Sequence, residues 1–324
     1  MTVSRVVNGQ GKVREVTRER VMRAVRELGY TPNLAASSLA AAQDMRIALI
    51  YTNPSGAYLR ELLLGALRGA TRAGTQLVID SWDGLNAAAQ RQAARTLARG
   101  VAGAILPPPL CESKSVVGEL VDAGVQVVAI ASGRFSHDIS CVRIDDFRAS
   151  KETTAYLVAL GHRRIGYIRG APNQTASARR YEGYQAALAE AGLPLDPALV
   201  QQGQFTYRSG LDATEKLLAH RRPPTAIFAS NDDMAAAAIS VAHRRGLDVP
   251  RDLSIVGFDD TTAATTVWPE LTTVHQPVAS MADSAIDVLL RAIRRDERGP
   301  RVVVDHVVAH ELVQRDSVAA PPGA

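Results

Sequence analysis

Long hydrophobic runs are absent from this 324-residue chain. With no stretch of about 18 or more apolar residues, no transmembrane helix and no membrane partner is expected. The opening Met1-Thr2-Val3-Ser4-Arg5 lacks the apolar core and small-residue cleavage site of a secretory signal. Cysteine is scarce: Cys111 and Cys141 are the two present. Two cysteines build neither a disulfide framework nor a metal site, and both are expected to be buried free thiols in a reducing cytoplasm. Catalytic signatures are missing too. Ser132-Gly133 is not embedded in Gly-x-Ser-x-Gly, glycine-rich phosphate loops do not occur, and neither His162 nor His275 has a paired nucleophile. An enzyme is therefore not expected, and neither is a cofactor or a metal.

What is present is ordinary in amount and uneven in place. The chain is 46% hydrophobic and 22% charged, as globular proteins are, and its length suits about two domains. Its net charge of +4 lies entirely in residues 1–33, where seven basic residues (Arg5, Lys12, Arg14, Arg18, Arg20, Arg23, Arg26) face three acidic ones. The remainder holds 30 basic and 30 acidic residues and is neutral. A small basic head on a neutral body is the electrostatic footprint of nucleic-acid binding, with a solvated basic helix face as the plainer alternative.

The head reads as two short helices. In Thr2–Gly9, Val3, Val6 and Val7 share one face, and Asn8-Gly9 is a helix stop. Thr2, Ser4, Arg5 and Asn8 are left outward, supplying the donors and acceptors that base edges and phosphates require. A second helix is expected from an N-cap at Thr17, with Val21, Ala24, Val25 and Leu28 as its apolar face and Gly29 as its end. Pro32 then breaks the chain, and Asn33 can cap a further short helix from Leu34 to Ala41. A helix this short is marginal alone, which suits an element that forms and melts.

From Met45 onward the pattern becomes strand and helix in alternation. Apolar runs at Arg46–Thr52, Gln76–Asp80, Gly103–Leu106 and Gln126–Ala131 read as buried parallel strands. Helices are expected between them at Leu59–Ala73, Asn86–Arg99 and Ser113–Ala123. A second unit repeats the plan with strands at Ile165–Arg169, Ala226–Ala229 and Ser254–Phe258 and helices at Ala149–Leu160, Ser177–Ala191 and Asp232–Arg245. Met281–Arg295 is another helix, Val302–Val304 and Val307–Glu311 read as closing strands, and the tail from Ser317 is expected to be disordered. The fold class is α/β. Two doubly wound parallel sheets, with the chain crossing between lobes three times, make the hinged cleft of a periplasmic-binding-protein-like body.

Several motifs carry a resemblance. Thr-Val-Ser-Arg-Val-Val-Asn-Gly, Thr-Arg-Glu-Arg-Val, Glu-Leu-Gly-Tyr-Thr-Pro-Asn and Ala-Ala-Ser-Ser-Leu follow one another in the head. Leu160-Gly161-His162-Arg163-Arg164-Ile165, Asn231-Asp232-Asp233-Met234-Ala235, Val256-Gly257-Phe258-Asp259-Asp260 and Leu271-Thr272-Thr273-Val274 mark the body. In order and spacing they resemble the lac repressor-type (LacI/GalR) transcription regulators over nearly the whole chain. The resemblance implies a homodimer that binds double-stranded operator DNA and answers to a small polar effector such as a sugar. It makes residues 2–9 the recognition helix of a helix-turn-helix and residues 33–44 a hinge helix. The DNA-facing residues would be Thr2, Ser4, Arg5, Asn8, Tyr30, Asn33, Ala36 and Leu39, with Leu39 wedging a base step in the minor groove. The family's head opens on one more helix, of the type Lys-Asp-Val-Ala-x-Ala-Gly-Val-Ser, whereas this chain begins inside the turn that follows it. The expectation is a misassigned start with roughly 20 residues upstream, the alternative being a defunct reader.

The resemblance divides the chain into a head at 1–32, the hinge at 33–44 and an effector domain at 45–316. Its first lobe takes residues 45–143 plus 277–299, its second 146–274 plus 302–313, and residues 317–324 form the tail. Ligands of open α/β sheets sit beyond the carboxyl ends of strands, where Asp145 and Asp146 (after the strand Cys141–Ile144), Asn231 and Asp259 stand. By resemblance Arg180, Phe205 and Tyr58 join them, giving Tyr58, Asp145, Arg180, Phe205, Asn231 and Asp259 as the effector set. Bidentate polar groups and aromatic faces suit a polyhydroxylated ligand. An Arg180–Asp259 ion pair, a purely capping Asn231 and a Tyr58 in a dimer core are the plainer readings. A transport-type binding protein would share the body but not the basic head.

Overall fold

A computed structural model describes residues 14–27, 45–52, 55–136, 138–296 and 302–321. The eight proposed DNA-facing residues, Thr2 to Asn8 and Tyr30 to Leu39, and the hinge helix lie outside the described residues. The chain forms two compact units, Met1–Met45 and Arg46–Ala324.

The first unit contributes α1 (Glu15–Glu27). It starts two residues before Thr17, whose amide donates to Arg14 O at 2.9 Å, so Thr17 lies within the first turn rather than capping it. Glu15 in that turn complements the positive helix end.

The second unit holds a six-stranded sheet, a four-stranded sheet and a two-stranded pair. In the first lobe β1 (Arg46–Tyr51), β2 (Gln76–Ser81), β3 (Gly103–Leu106), β4 (Gln126–Ile130) and β5 (Ser140–Arg143) alternate with helices α2 (Gly56–Ala73), α3 (Ala87–Leu97) and α4 (Lys114–Asp122). In the second lobe the run is α5 (Asp146–Ala159), β6 (Ile165–Arg169), α6 (Thr175–Glu190), β7 (Val200–Gln202), α7 (Tyr207–Leu218), β8 (Ala226–Ala229), α8 (Asp232–Arg244), β9 (Ser254–Val256), α9 (Thr262–Thr266) and β10 (Thr273–His275). The chain closes with α10 (Val278–Asp296), β11 (Asp305–Val307) and β12 (Glu311–Val313). The first sheet has the order β11-β5-β4-β3-β1-β2, the second β7-β6-β8-β9, and β10 pairs antiparallel with β12.

Apolar sequence explains the central strands. Ile47, Ala48, Leu49 and Ile50 are all fully buried, because helices cover both faces of a parallel sheet. Helix α2 begins at Gly56 rather than Leu59, since Ser55 Oγ accepts from Tyr58 N at 3.3 Å and caps it. Its small residues let α10 approach closely: a Cβ at Gly65 would stand 2.0 Å from Ala279 O. Arg72 then bridges the pair, reaching Asp283 at 2.5 Å and Asp287 at 2.8 Å.

The ending differs from expectation in two ways. Residues 302–313 do not all belong to the second lobe: β11 pairs with β5 of the first sheet, Asp305 opposite Cys141, while β12 pairs with β10. A salt bridge from Arg143 Nη2 to Asp305 Oδ2 at 2.8 Å sets that register. The tail is not free either. Ser317 is fully buried; Ile255 N donates to its carbonyl, Thr272 N to its hydroxyl, and that hydroxyl donates to Ile255 O at 2.6 Å. Two residues on, the Ala319 carbonyl accepts from His162 Nε2 at 2.9 Å and from Ser254 Oγ at 3.1 Å. Strand β9 would otherwise be an open sheet edge, and residues 317–319 satisfy its backbone groups. Residues 322–324 lie outside the described ones.

Candidate ligand-binding cleft

Three passages join the lobes: β5 into α5, β10 into α10, and β11 into β12. Between the lobes lies a cavity of about 80 Å³, lined from the first lobe by Thr52, Ser55, Tyr58, Pro107, Pro108 and Ala131. Gln174, Ala176, Arg180, Gln204, Phe205, Asn231 and Asp259 line it from the second lobe, and Gln276 from the β10–α10 passage. That volume holds several water molecules, so the protein's own side chains leave the site unfilled.

Arg180 sits at its centre on α6, which buries it because Gly183 and Tyr184 pack the same helix against the lobe. Its guanidinium donates from Nε to Asp146 Oδ1 at 2.8 Å and from Nη1 to Ser230 O at 2.6 Å. The Phe258 ring lies 3.6 Å beneath its Cζ. Asp259 Oδ1 is 3.6 Å from Nη1, a contact of opposite charges longer than a hydrogen bond. Burial pushes the Asp259 carboxyl well above the usual carboxylate range, although Arg180 pulls the other way. Its neighbour Asp232 is buried beneath the cleft and accepts from Thr261 N and Thr273 Oγ1, each at 2.6 Å, with burial pushing its carboxyl up to about 7.

Asn231 does two jobs. Its Oδ1 caps α8 by accepting from Met234 N at 3.1 Å, and its Nδ2 donates to Phe205 O at 3.1 Å, fixing the Phe205 loop. Phe205 itself holds a φ of 59° and lies over Gly170, where a Cβ would stand 2.0 Å from the ring. Ala131 (φ 55°) and Asp259 (φ 108°) are also left-handed. Three of the four non-glycine residues with positive φ among the described ones thus line this cavity, and such strain persists where surrounding structure enforces it for function.

Tyr58 Oη, Asp259 Oδ1 and both amide atoms of Gln276 are buried without a hydrogen-bond partner. Burial raises the Tyr58 hydroxyl above its ordinary value, so it stays a neutral donor and acceptor. Leaving such groups unpaired costs about 1–3 kcal/mol each, and all of these atoms belong to residues lining one cavity.

Five of the six effector residues expected from the sequence, Tyr58, Arg180, Phe205, Asn231 and Asp259, come together here. Asp145 does not line the cavity: its carboxylate accepts from Arg148 N at 3.0 Å and caps α5. The adjacent Asp146 reaches Arg180 instead. Gln174, Gln204 and Gln276 line the cavity too and belong to none of the sequence motifs. Gln276 directly follows β10, a place where ligands of α/β sheets sit.

Residues 1–33 match the family model described as bacterial regulatory proteins, lacI family, and residues 154–318 match that of the periplasmic binding protein-like domain. The HTH-type transcriptional regulator AscG of Escherichia coli (strain K12) is 35% identical over 99% of this chain and 95% of its own length. The HTH-type transcriptional regulator DegA of Bacillus subtilis (strain 168) is 35% identical over 98% and 94%. Among solved structures, the transcriptional regulator CelR–cellobiose complex superposes with a TM-score of 0.77 at 31% identity, over 97% of this chain and 94% of that one. The lac repressor dimer bound to operator and the anti-inducer ONPF does so at 0.76 and 26%, over 98% and 95%. The chain belongs to the LacI family, DNA-binding transcriptional regulators with a small-molecule-sensing periplasmic-binding-protein-like body.

Proposed function

We propose that this regulator is a cytoplasmic homodimeric repressor whose effector is a neutral sugar. The observation that carries the reading is the charge balance of the cleft. Arg180 is already paired with Asp146 at 2.8 Å, so among the described residues lining the cavity no uncompensated cation remains to hold a carboxylate or phosphate. The unpaired Tyr58 hydroxyl, Asp259 oxygen and Gln276 amide offer neutral donors and acceptors to vicinal hydroxyls, and Phe205 offers a ring face to C–H patches. The cellobiose held by the related CelR belongs to the same chemical class.

In this reading Thr2, Ser4, Arg5 and Asn8 meet base edges and phosphates in the major groove, and Tyr30, Asn33, Ala36 and Leu39 serve the hinge at the minor groove. Ligand closes the lobes, the first lobes of the dimer shift, and hinge pairing changes. Coupling between ligand and operator is then reciprocal. The dimer face is drawn on the first lobe, where Leu64 and Leu67 of α2 and Ile79 of the edge strand β2 are exposed at 48%, 55% and 48%.

Thermal-shift titration against a panel of neutral sugars, uronic acids and sugar phosphates tests the ligand class. A neutral sugar is expected to raise the melting temperature by several degrees. Stabilisation by the acidic compounds alone would overturn the assignment.

A further inference from the structure

The Glu112 carboxylate joins the two lobes beside the cleft. Glu112 closes a short turn (Leu110–Glu112) of the first lobe, and Thr175 opens α6 of the second. Thr175 N donates to Glu112 Oε2 at 2.8 Å and Oε1 at 3.1 Å, and Thr175 Oγ1 donates to Oε1 at 2.6 Å. Ser132 Oγ reaches the same oxygen at 3.3 Å, while Gly133 N donates to Thr175 Oγ1 at 3.0 Å.

Helix α6 needs this partner. Gln174 stands in its N-cap position without a capping bond, and its first turn holds no acidic residue. Its free amides and positive end are therefore served by a carboxylate from the other lobe. The same helix carries Arg180, and Gln174 and Ala176 beside the contact line the ligand cavity. Other bonds also cross between the lobes, among them Arg60 Nη2 to Thr262 Oγ1 at 2.9 Å, Arg134 Nη2 to Glu182 Oε1 at 3.0 Å and a side-chain bond between Asp233 and Ser55. Both arginines are solvent-exposed, so their two bonds contribute little.

We propose that Glu112 is a latch that sets the balance between closed and open lobes and, through α6, the readiness of the Arg180 site. Opening the lobes takes the carboxylate away and leaves the first turn of α6 uncapped. The closed state thus carries a stabilisation that exists before any ligand arrives. This rests on the effector-sensing reading of the cleft but is measurable with no effector at all.

The test uses the full chain without ligand, as wild type and as Glu112→Gln, Glu112→Ala and the control Arg134→Ala. Amide hydrogen exchange follows Thr175 to Ser177, and small-angle X-ray scattering follows lobe separation. Glu112→Ala is expected to speed exchange at these amides by about tenfold or more and to raise the radius of gyration. Glu112→Gln, which keeps one acceptor oxygen, should fall between, and Arg134→Ala should match wild type. Faster exchange with unchanged scattering would make Glu112 a local helix cap and overturn the latch, as would no change in either. Should Glu112→Ala fail to fold, Glu112→Gln alone decides the matter by the same two readings. If no sugar stabilises the wild type, the ligand assignment fails while these readings stand.

Discussion

Arg180 Nε and Asp146 Oδ1 form a 2.8 Å ion pair with both side chains almost wholly buried. Asp146 is the first residue of α5, immediately beyond one of the three passages between lobes. The residue at the centre of the cleft is therefore held by the residue at the mouth of the hinge. Ligand and hinge geometry meet in one charged contact, and that contact explains why the site tolerates a buried guanidinium.

Gln276 separates binding from stability. Both ends of its amide are buried and unpaired, so Gln276→Leu removes a cost of about 1–3 kcal/mol while keeping the volume similar. Urea denaturation is expected to show unchanged or slightly raised stability, and calorimetry a loss of sugar affinity of about tenfold or more. Stability lost together with affinity would mean that the amide is structural.

The C-terminal strap should matter to folding. A chain ending at Asp316 loses the Ser317 and Ala319 bonds to Ile255, Thr272, Ser254 and His162. At about 0.5–1.5 kcal/mol each, their removal is expected to destabilise the body by about 3 kcal/mol or more. Denaturant unfolding of the truncated chain checks this, and an unchanged midpoint would contradict it.

Asp232 should leave a mark on the pH profile. Burial raises its carboxyl to about 7, above the unfolded value, so the native state holds its proton more tightly than the unfolded chain. The stabilising contribution is complete below the ordinary carboxylate range and is lost as pH rises through about 7. Asp259 is shifted in the same direction and adds to the slope. Unfolding free energy measured from pH 5 to 8 should fall with pH, and Asp232→Asn should flatten the fall. A steeper fall in the variant would refute the assignment.

The first-lobe face should control assembly. Leu64→Glu with Leu67→Glu places two charges on the exposed face of α2. Light scattering should show monomers for the variant and dimers for the wild type, with the melting temperature changed by only a few degrees because neither side chain is buried. A dimeric variant would move the interface elsewhere.

The sheets were legible in the sequence because a fully buried parallel strand writes itself as an apolar run, as Ile47–Ile50 does. Helix α7 and strand β7 were not read. Val200-Gln201-Gln202 is too short and polar to stand out, and Tyr207–Leu218 follows a left-handed Phe205 that only the Asn231 contact explains. The polar lining was legible by motif for Arg180, Asn231 and Asp259. It was not legible for Asp145 against Asp146, because one residue of helical phase decides which carboxylate caps α5 and which turns to Arg180. The tail misled because Ser317 and Ala319 act through hydrogen bonds to a distant edge strand, which composition does not record.

The most direct test compares operator binding, with and without a stabilising sugar, for the wild type and Arg180→Ala, using a DNA fragment selected from a random pool. The sugar should shift the wild-type affinity by about tenfold or more, while Arg180→Ala binds the fragment equally well and ignores the sugar. Equal loss of DNA binding and sugar response in the variant, or a full response retained, would contradict the role of Arg180 in coupling the cleft to the DNA.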